Sequence, residues 1–206
     1  MSASAQSRWR ASPTRLSGLL LGLAIFGAGD ALVVLARLGN SPWTVLAEGV
    51  ADRTVLGVGS ATVVISFFLL LLWIPLRQRP GLGTILNALL VGVALGVVLS
   101  TVPEPRAVVL RVVVLLIGIA LVGVGSGFYL GAALGPGPRD GLMTGLHRRT
   151  GVRVAIVRGG IELSATVVGA LLGGTVGIGT LAFALLIGPS VALGLRVLSA
   201  TPAAEL

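Results

Sequence analysis

Long apolar segments separated by short polar breaks account for most of the chain. Six of these segments come close to the roughly 20 residues that an α-helix needs to cross the hydrocarbon core of a bilayer. They cover residues 16–36, 55–76, 82–102, 107–134, 152–172 and 180–198. The pattern therefore predicts an all-α, polytopic membrane protein with six transmembrane helices.

The breaks between the segments indicate how the chain is divided. A polar tail, residues 1–15, precedes a first segment that is long, contains Asp30 and lacks a small-residue cleavage site. We therefore expect an uncleaved first helix rather than a signal peptide. Two prolines at 103–105 cannot continue a helix. They divide a single membrane domain, 1–206, into halves 16–102 and 107–199.

The two halves repeat each other at a constant offset. Residues 38–50 (LGNSPWTVLAEGV) and 134–146 (LGPGPRDGLMTGL) align Pro42 with Pro138, and 138 − 42 = 96. The same offset aligns an Arg-Thr pair and a Gly-Thr pair, namely 53–54 with 149–150 and 83–84 with 179–180. Apolar matches are frequent by chance in such a chain, whereas matches of these types indicate a duplicated unit.

Composition supports the membrane class and excludes several kinds of site. Hydrophobic residues make up 55% of the chain and charged residues 11%, with a mean hydropathy of +1.03. The 31 glycines suit closely packed transmembrane helices. Because there is no cysteine and His147 is the one histidine, we expect no disulfide, metal site or cofactor. Without an HExxH or GxSxG pattern, we expect no enzymatic activity.

The arginines predict the topology. The net charge of +8 comes from fifteen arginines and no lysine. With the N-terminus in the cytoplasm, ten arginines fall on the cytoplasmic side, four on the outer side, and Arg158 inside the fifth helix. Both termini are then cytoplasmic, and three spans per half make the halves inverted. This placement favours contact with anionic lipid head groups over binding of nucleic acid.

The segments 38–50 and 134–146 are too short to span a bilayer. Each contains a Gly/Pro break followed by about ten residues, such as 43–53 and 139–149. One interpretation is a helix lying at the interface, with Trp43 as an aromatic anchor. The other is a re-entrant half-helix whose N-terminus points toward the membrane centre and can attract an anion. The sequence leaves both interpretations open.

Polar residues inside the apolar segments are candidate substrate-binding residues. Arg158 and Glu162 are four apart in the fifth predicted helix, so they share a face and can pair. The pair is either a structural clamp or a contact for a substrate or proton. Asp30 can pair with Arg37 or with a group from another helix. Asn87, in the third helix, either forms an interhelical hydrogen bond or binds a ligand.

Arg139 and Asp140 follow Pro138 in the second short segment and complete the set of candidates. We expect Asp140 to cap a helix by accepting backbone N–H groups of its first turn. Three further arginines nearby make this face strongly positive. Such a face suits either anionic lipid or an anionic substrate.

Several motifs resemble the bacterial YczE/YitT group of integral membrane proteins, over nearly the whole chain. The resemblance rests on Gly39-x-x-Pro42-Trp43, Leu134-Gly135-x-Gly137-Pro138-Arg139-Asp140-Gly141-Leu142-Met143, Arg158-x-x-x-Glu162, Gly173-Gly174-x-x-Gly177-x-Gly179-Thr180 and Gly188-Pro189. Thr44 departs from it, since an aspartate often follows Pro-Trp in that group. The resemblance implies a bacterial cell-membrane protein and specifies no agreed substrate.

Inverted halves with matching Gly/Pro breaks predict a transporter or exporter of a small or amphiphilic molecule, working by alternating access. The candidate substrate-binding residues are Arg158, Glu162, Asp30, Arg139, Asp140 and Asn87. The alternative is a non-transporting scaffold or accessory subunit of another complex. Either is compatible with a homo-oligomer or a partner subunit.

Overall fold

The chain folds as a bundle of α-helices of unequal length. The computed structural model describes residues 8–200, with side chains as far as Arg196. Over that range the chain forms eight α-helices and no strand: α1 (Pro13–Leu35), α2 (Pro42–Asp52), α3 (Val58–Leu76), α4 (Leu82–Thr101), α5 (Val108–Gly131), α6 (Pro138–Thr150), α7 (Val154–Leu171) and α8 (Ile178–Ala200). The start of the predicted N-terminal tail and the short C-terminal tail lie outside the described residues.

Five helices of the described range are long and apolar enough to cross a membrane: α1, α4, α5, α7 and the 178–196 part of α8. The apolar part of α3, Val58–Trp73, is shorter than these. Helices α2 and α6, with 11 and 13 residues, occupy the two segments predicted to be too short to span. The chain is therefore an all-helical membrane protein with several spans, and the sixth span stays a prediction.

The helices of the two halves match at the offset of 96. Helices α2, α3 and α4 begin at residues 42, 58 and 82, and adding 96 gives the first residues of α6, α7 and α8. The turns after α1 and α5 also match. Gly39 and Gly135 have φ angles of 112° and 117°, a conformation that favours glycine. Arg37 and Ala133 have φ angles of 54° and 51°. The sequence repeat is thus also a repeat of local backbone structure.

Helices α1 and α5 pack closely through glycines. A Cβ atom at Gly29 would lie 2.7 Å from the Gly118 carbonyl oxygen, and one at Gly125 would lie 2.6 Å from the Gly22 carbonyl oxygen. Larger residues would separate the two helices. Contacting residues have rising numbers in α1 and falling numbers in α5, so the two helices run antiparallel. The contacts also exchange under the repeat, since 29 + 96 = 125 and 22 + 96 = 118.

Each half also packs on a short helix of the other half. Helix α2 contacts α7, and α6 contacts α3. The connecting turns also contact the opposite half: the Gly83 N–H donates to the Leu134 carbonyl at 2.9 Å. The matching Gly179 N–H donates to the Leu38 carbonyl at 2.7 Å. Each half therefore completes the packing of the other.

One interface differs between the halves. Helices α3 and α4 pack together, and a Cβ atom at Gly92 would lie 2.5 Å from the Gly59 carbonyl oxygen. In the other half, α7 and α8 form no such packed interface among their described residues. A Cβ atom at Gly188, the counterpart of Gly92, would meet no atom within 4 Å. The first half is closed at this position and the second half is open.

Candidate functional site

A cavity of about 160 Å³ lies between the two halves. Its lining includes all six candidate residues, which come from α1, α4, α6 and α7: Asp30, Asn87, Arg139, Asp140, Arg158 and Glu162. Residues that are more than 100 positions apart in the chain are thereby brought to one place. Their role in binding stays a prediction, but their proximity is a property of the fold.

Matched positions of the two halves line this cavity. Fourteen of its lining residues form seven pairs related by the offset of 96: Phe26 and Val122, Asp30 and Ser126, Ser41 and Gly137, Trp43 and Arg139, Ser66 and Glu162, Asn87 and Phe183, and Val91 and Ile187. The cavity therefore lies where the repeats face each other. Within these pairs, each charged residue is matched by an uncharged residue of the other half. The cavity is therefore built from repeated positions, but the charges are not repeated.

The N-terminal ends of α2 and α6 meet at this cavity. The guanidinium carbon of Arg139 lies 5.2 Å from the ring centroid of Trp43, within cation–π distance. Each residue is the second of its helix, directly after a proline. Trp43 is only 8% exposed, so it lies inside the protein and not on its surface as an interfacial anchor would. The N-terminal ends of both short helices therefore lie at the cavity, and the choice between an interfacial and a re-entrant helix stays open.

Neither short helix has a side-chain cap: the N-cap residue of α2, Ser41, forms no capping hydrogen bond, and that of α6, Gly137, has no side chain. Asp140 was expected to cap α6, but the helix begins at Pro138, a residue suited to the first helical position. Asp140 therefore lies in the first turn, where its charge still interacts favourably with the helix dipole. Its carboxylate accepts a hydrogen bond from the Tyr129 hydroxyl.

Asp30 belongs to α1 and is buried beside the N-terminal end of α2, with 1% of its surface exposed. The Thr44 hydroxyl donates to Asp30 Oδ2 at 2.8 Å, and the Ser41 hydroxyl lies 2.7 Å from that of Thr44. Asp30 Oδ1 is buried and has no hydrogen-bond partner in the described part of the protein. An unsatisfied buried carboxylate oxygen is costly and is uncommon without a functional reason.

Arg37 is not the partner of Asp30, although the sequence allowed that pairing. Its Nε donates to Glu104 Oε1 at 3.0 Å, and its Nη1 lies 3.9 Å from Glu48 Oε1. Because it accepts hydrogen bonds from Arg37, Glu104 has a carboxyl pKa below its ordinary value. The same hydrogen bond raises the pKa of Arg37. The group on another helix that contacts Asp30 is Thr44, at the position where the sequence departs from the YczE/YitT motif.

Arg158 and Glu162 pair on α7 as their spacing predicts. Arg158 Nε lies 2.8 Å from Glu162 Oε1, and the two side chains are 50% and 31% exposed. Their exposure follows from the open α7–α8 interface, since Phe183, Ile187 and Val191 of α8 line the same cavity. The pair therefore lies beside an opening, where either a structural or a binding role is possible.

Comparison with known proteins places this fold in a family. Residues 13–196 match the model of a family described as a family of unknown function, DUF6198. The chain belongs to this family. It is 42% identical to a Haemophilus influenzae protein titled "Uncharacterized protein", over 96% of this chain and 91% of that one.

Two Bacillus subtilis relatives extend the comparison. The "Uncharacterized membrane protein YczE" is 32% identical, over 81% of this chain and 79% of its own length. The "Uncharacterized protein YyaS" is 29% identical, over 78% of this chain and 82% of its own. No solved structure matches significantly. The resemblance to YczE-like membrane proteins is thereby confirmed.

The structure of this family member also reveals polar residues that the sequence did not single out. Glu48 Oε2 accepts from the Asn40 amide at 2.7 Å and from the Thr175 backbone N–H at 2.6 Å. This contact ties α2 to the turn before α8, across 127 residues. Tyr129 holds Asp140 at the cavity. Neither residue has a local sequence signal, because its partner is distant in the chain or has no characteristic spacing.

Asn87 lies next to Asp140 at the start of α6. A Cβ atom at Gly137 would lie 3.2 Å from Asn87 Nδ2 and 3.1 Å from Asp140 Oδ2, so a side chain there would displace both groups. In the described range, no group of three His, Cys, Asp or Glu side chains is arranged to hold a metal ion. The cavity therefore presents hydrogen-bonding and charged side chains.

Proposed function

We propose that this protein is a membrane transporter whose two inverted halves expose the central cavity alternately to the two sides of the membrane. The observation that carries the proposal is that matched positions of both halves line one cavity. The antiparallel packing of α1 on α5, with contacts that exchange under the repeat, supports the inverted relationship. Broken segments at matching positions near a shared site are typical of such transporters.

The different packing of the two halves supports alternating access. A transporter with inverted repeats reaches its second state when each half adopts the conformation of the other. Here the α3–α4 interface is closed and the α7–α8 interface is open. In the opposite state, α7 would close on α8 while α3 separates from α4. The two packings of one repeated unit would thus be the two end states of transport.

The lining of the cavity suits a small or amphiphilic substrate. Charged and polar side chains gather at the N-termini of α2 and α6, whereas α8 contributes apolar Phe183, Ile187 and Val191. Arg158 and Glu162 lie on the other side of the α7–α8 opening. In this proposal Asp30, Asn87, Arg139 and Asp140 contact the polar part of the substrate, and the Arg158–Glu162 pair borders its path.

The membrane setting follows from the arginine distribution. We propose a bacterial cell-membrane location with both termini in the cytoplasm, because ten of the fifteen arginines then lie on the cytoplasmic side. These arginines would contact anionic lipid head groups. Transport driven by conformational exchange requires neither catalysis nor a cofactor, and we propose neither for this chain.

Proteoliposomes containing the full-length protein test the proposal. We expect flux of at least one small zwitterionic or amphiphilic probe above that of empty liposomes. Glu162→Gln, which removes the charge that pairs with Arg158, should lower that flux about tenfold or more. Glu104→Gln, a carboxylate control remote from the cavity, should not. Absence of flux for every probe, together with a stoichiometric partner after purification in mild detergent, would instead support the scaffold alternative.

A further inference from the structure

Two oppositely charged groups at the cavity, Asp30 and Arg139, attract each other without forming an ion pair within 4 Å. Asp30 Oδ1 is buried and accepts no hydrogen bond. Arg139 lies on the Trp43 ring and forms no ion pair within 4 Å among the described residues. The other charged lining residues are engaged, Arg158 with Glu162 and Asp140 with Tyr129. The groups available to a ligand are therefore one acceptor and one guanidinium.

Two helix N-termini add positive potential beside Arg139. Neither α2 nor α6 has a side-chain cap from its own N-cap residue, which leaves backbone N–H groups of the first turns without that partner. Both N-terminal ends line the cavity, through Trp43 in α2 and Arg139 in α6. Each end carries a partial charge of roughly +0.5. Helix N-termini alone would not define a ligand, but the buried and unpartnered oxygen of Asp30 at the same place is a second, independent observation that points to one.

The summed charge of the residues that line the cavity limits the net charge of the ligand. The cavity is lined by three carboxylates, Asp30, Asp140 and Glu162, and two guanidinium groups, Arg139 and Arg158. With about half a positive charge from each of the two helix ends, the total is close to zero. A ligand with a net charge would leave that charge unbalanced in a site of low dielectric, which is costly. A ligand with both charges and no net charge fits.

The remaining wall of the cavity is apolar. Phe183, Ile187 and Val191 of α8 face the α7–α8 opening, where no packed interface closes the site. An apolar group extending from the charged end of a ligand would cover these side chains. The charged groups and the apolar wall together describe an amphiphile.

We propose that the cavity binds a small zwitterion that carries an apolar group. Its anionic group would lie at Arg139 between the N-termini of α2 and α6, and its ammonium would donate to Asp30 Oδ1. Its apolar group would contact the α8 wall. The inference rests on the proposed function, because it names the chemical class of the transported molecule.

Three matched probes test the ligand class on the purified full-length protein. Norleucine has an ammonium, a carboxylate and a butyl side chain. Hexanoate lacks the ammonium, and pentylamine lacks the carboxylate. Binding is measured by calorimetry and by the shift of Tm. Each missing charged hydrogen bond should weaken binding about tenfold or more, so norleucine should bind tightest. A longer zwitterion, 6-aminohexanoate, tests the spacing of the two charges.

Variants connect the binding to the two groups. Asp30→Asn should lower the affinity for norleucine and leave that for hexanoate nearly unchanged. Arg139→Gln should lower the affinity for both. Glu104→Gln and Arg106→Gln, which remove one negative and one positive charge away from the cavity, should change neither. Asp30→Asn has the same shape as the native residue, and its Tm without ligand shows whether the variant is folded.

The outcomes are distinct from those of the transport assay. The proposal is wrong if hexanoate or pentylamine binds the folded wild type as tightly as the tighter-binding zwitterion, or if neither zwitterion binds. It is also wrong if zwitterion binding survives both Asp30→Asn and Arg139→Gln. Zwitterion binding without flux would retain the ligand class and reject transport, whereas flux of a different molecule would do the reverse.

Discussion

The two halves of this protein share a helical framework but differ in how they close. Helices α3 and α4 approach through Gly59 and Gly92, while their counterparts α7 and α8 remain apart. The α4 glycine is kept, because Gly188 occupies the place of Gly92, but Ala155 replaces Gly59 and Ala192 replaces Gly96. The comparison indicates that one repeated unit has two packing arrangements, which is what a two-state transporter needs.

The chemistry of the halves differs in the same cavity. Asp30 is matched by Ser126, Glu162 by Ser66, and Arg139 by Trp43. In the first half the acid that lines the cavity, Asp30, is on the long helix α1, and Thr44 on the short helix α2 donates a hydrogen bond to it. In the second half Asp140 is on the short helix α6, where the Tyr129 hydroxyl donates to it, and a second acid, Glu162, is on α7. Symmetry thus forms the cavity, and departures from symmetry give it charge.

The largest effect is expected from adding a methyl group at the two matched glycines. Gly92→Ala forces a Cβ atom to within 2.5 Å of the Gly59 carbonyl oxygen, which should cost about 1–3 kcal/mol of folding free energy. Gly188→Ala has open space and should be neutral or slightly stabilising. Unfolding in detergent measures both. Equal destabilisation by the two changes would contradict the difference between the halves.

A larger residue at Gly188 tests whether the open α7–α8 interface must close during transport. Gly188→Leu should fold normally, because nothing lies within 4 Å of the added Cβ atom. It should nevertheless abolish most transport, because the side chain prevents α7 from closing on α8. Flux in proteoliposomes, compared with Tm of the same preparation, separates the two effects. Unchanged flux would show that this closure is not part of the cycle.

A smaller effect is expected from the hydrogen bond between Thr44 and Asp30. Thr44→Val removes the donor to Asp30 Oδ2 and leaves a buried carboxylate poorly satisfied, at a cost of roughly 1–3 kcal/mol. Thr44→Ser keeps the hydroxyl and should retain most of the stability. If both variants lose equally, packing of the methyl group and not the hydrogen bond explains the loss.

Much of the fold could be predicted because the residues that mark helix starts and turns can be recognised from the sequence around them. Glycines, prolines and short polar pairs recur at one offset, and the starts of both short helices and the turns that precede them follow that register. The start of α3 at Val58, three residues later than predicted, was not evident because 55–57 is also largely apolar. The open α7–α8 interface was not predicted, although Ala155 and Ala192 stand where the closed interface has Gly59 and Gly96. How far two helices separate depends on all of their contacts, which one pair of residue types does not specify.

The candidate site could be predicted in its charged members and in Asn87. Charges within apolar segments are conspicuous, and all six predicted residues line one cavity. The partners of these residues were less evident. Tyr129 lies in an apolar helix, and Thr44 and Glu48 lie in a short helix whose position was open. Their contacts depend on how distant helices meet, which residue spacing along the chain does not specify.

The smallest effect is expected at the ion pair of Arg37 and Glu104, which has no counterpart in the second half. Because the folded-state pKa of Glu104 is lowered, its contribution to stability is present above the unfolded pKa and is lost as the pH falls through the folded value. The Tm difference between wild type and Glu104→Gln should therefore shrink from pH 7 to below about pH 4. A difference that grows in acid would contradict this pairing.

The exchange of packing between the halves is tested most directly by distances in lipid nanodiscs. The chain has no cysteine, so spin labels can be placed at Phe67→Cys with Leu89→Cys and at the matched Leu163→Cys with Leu185→Cys. All four positions are exposed. We predict two distances for each pair, with populations that change in opposite directions when norleucine is added. A single, unchanging distance for both pairs would contradict alternating access.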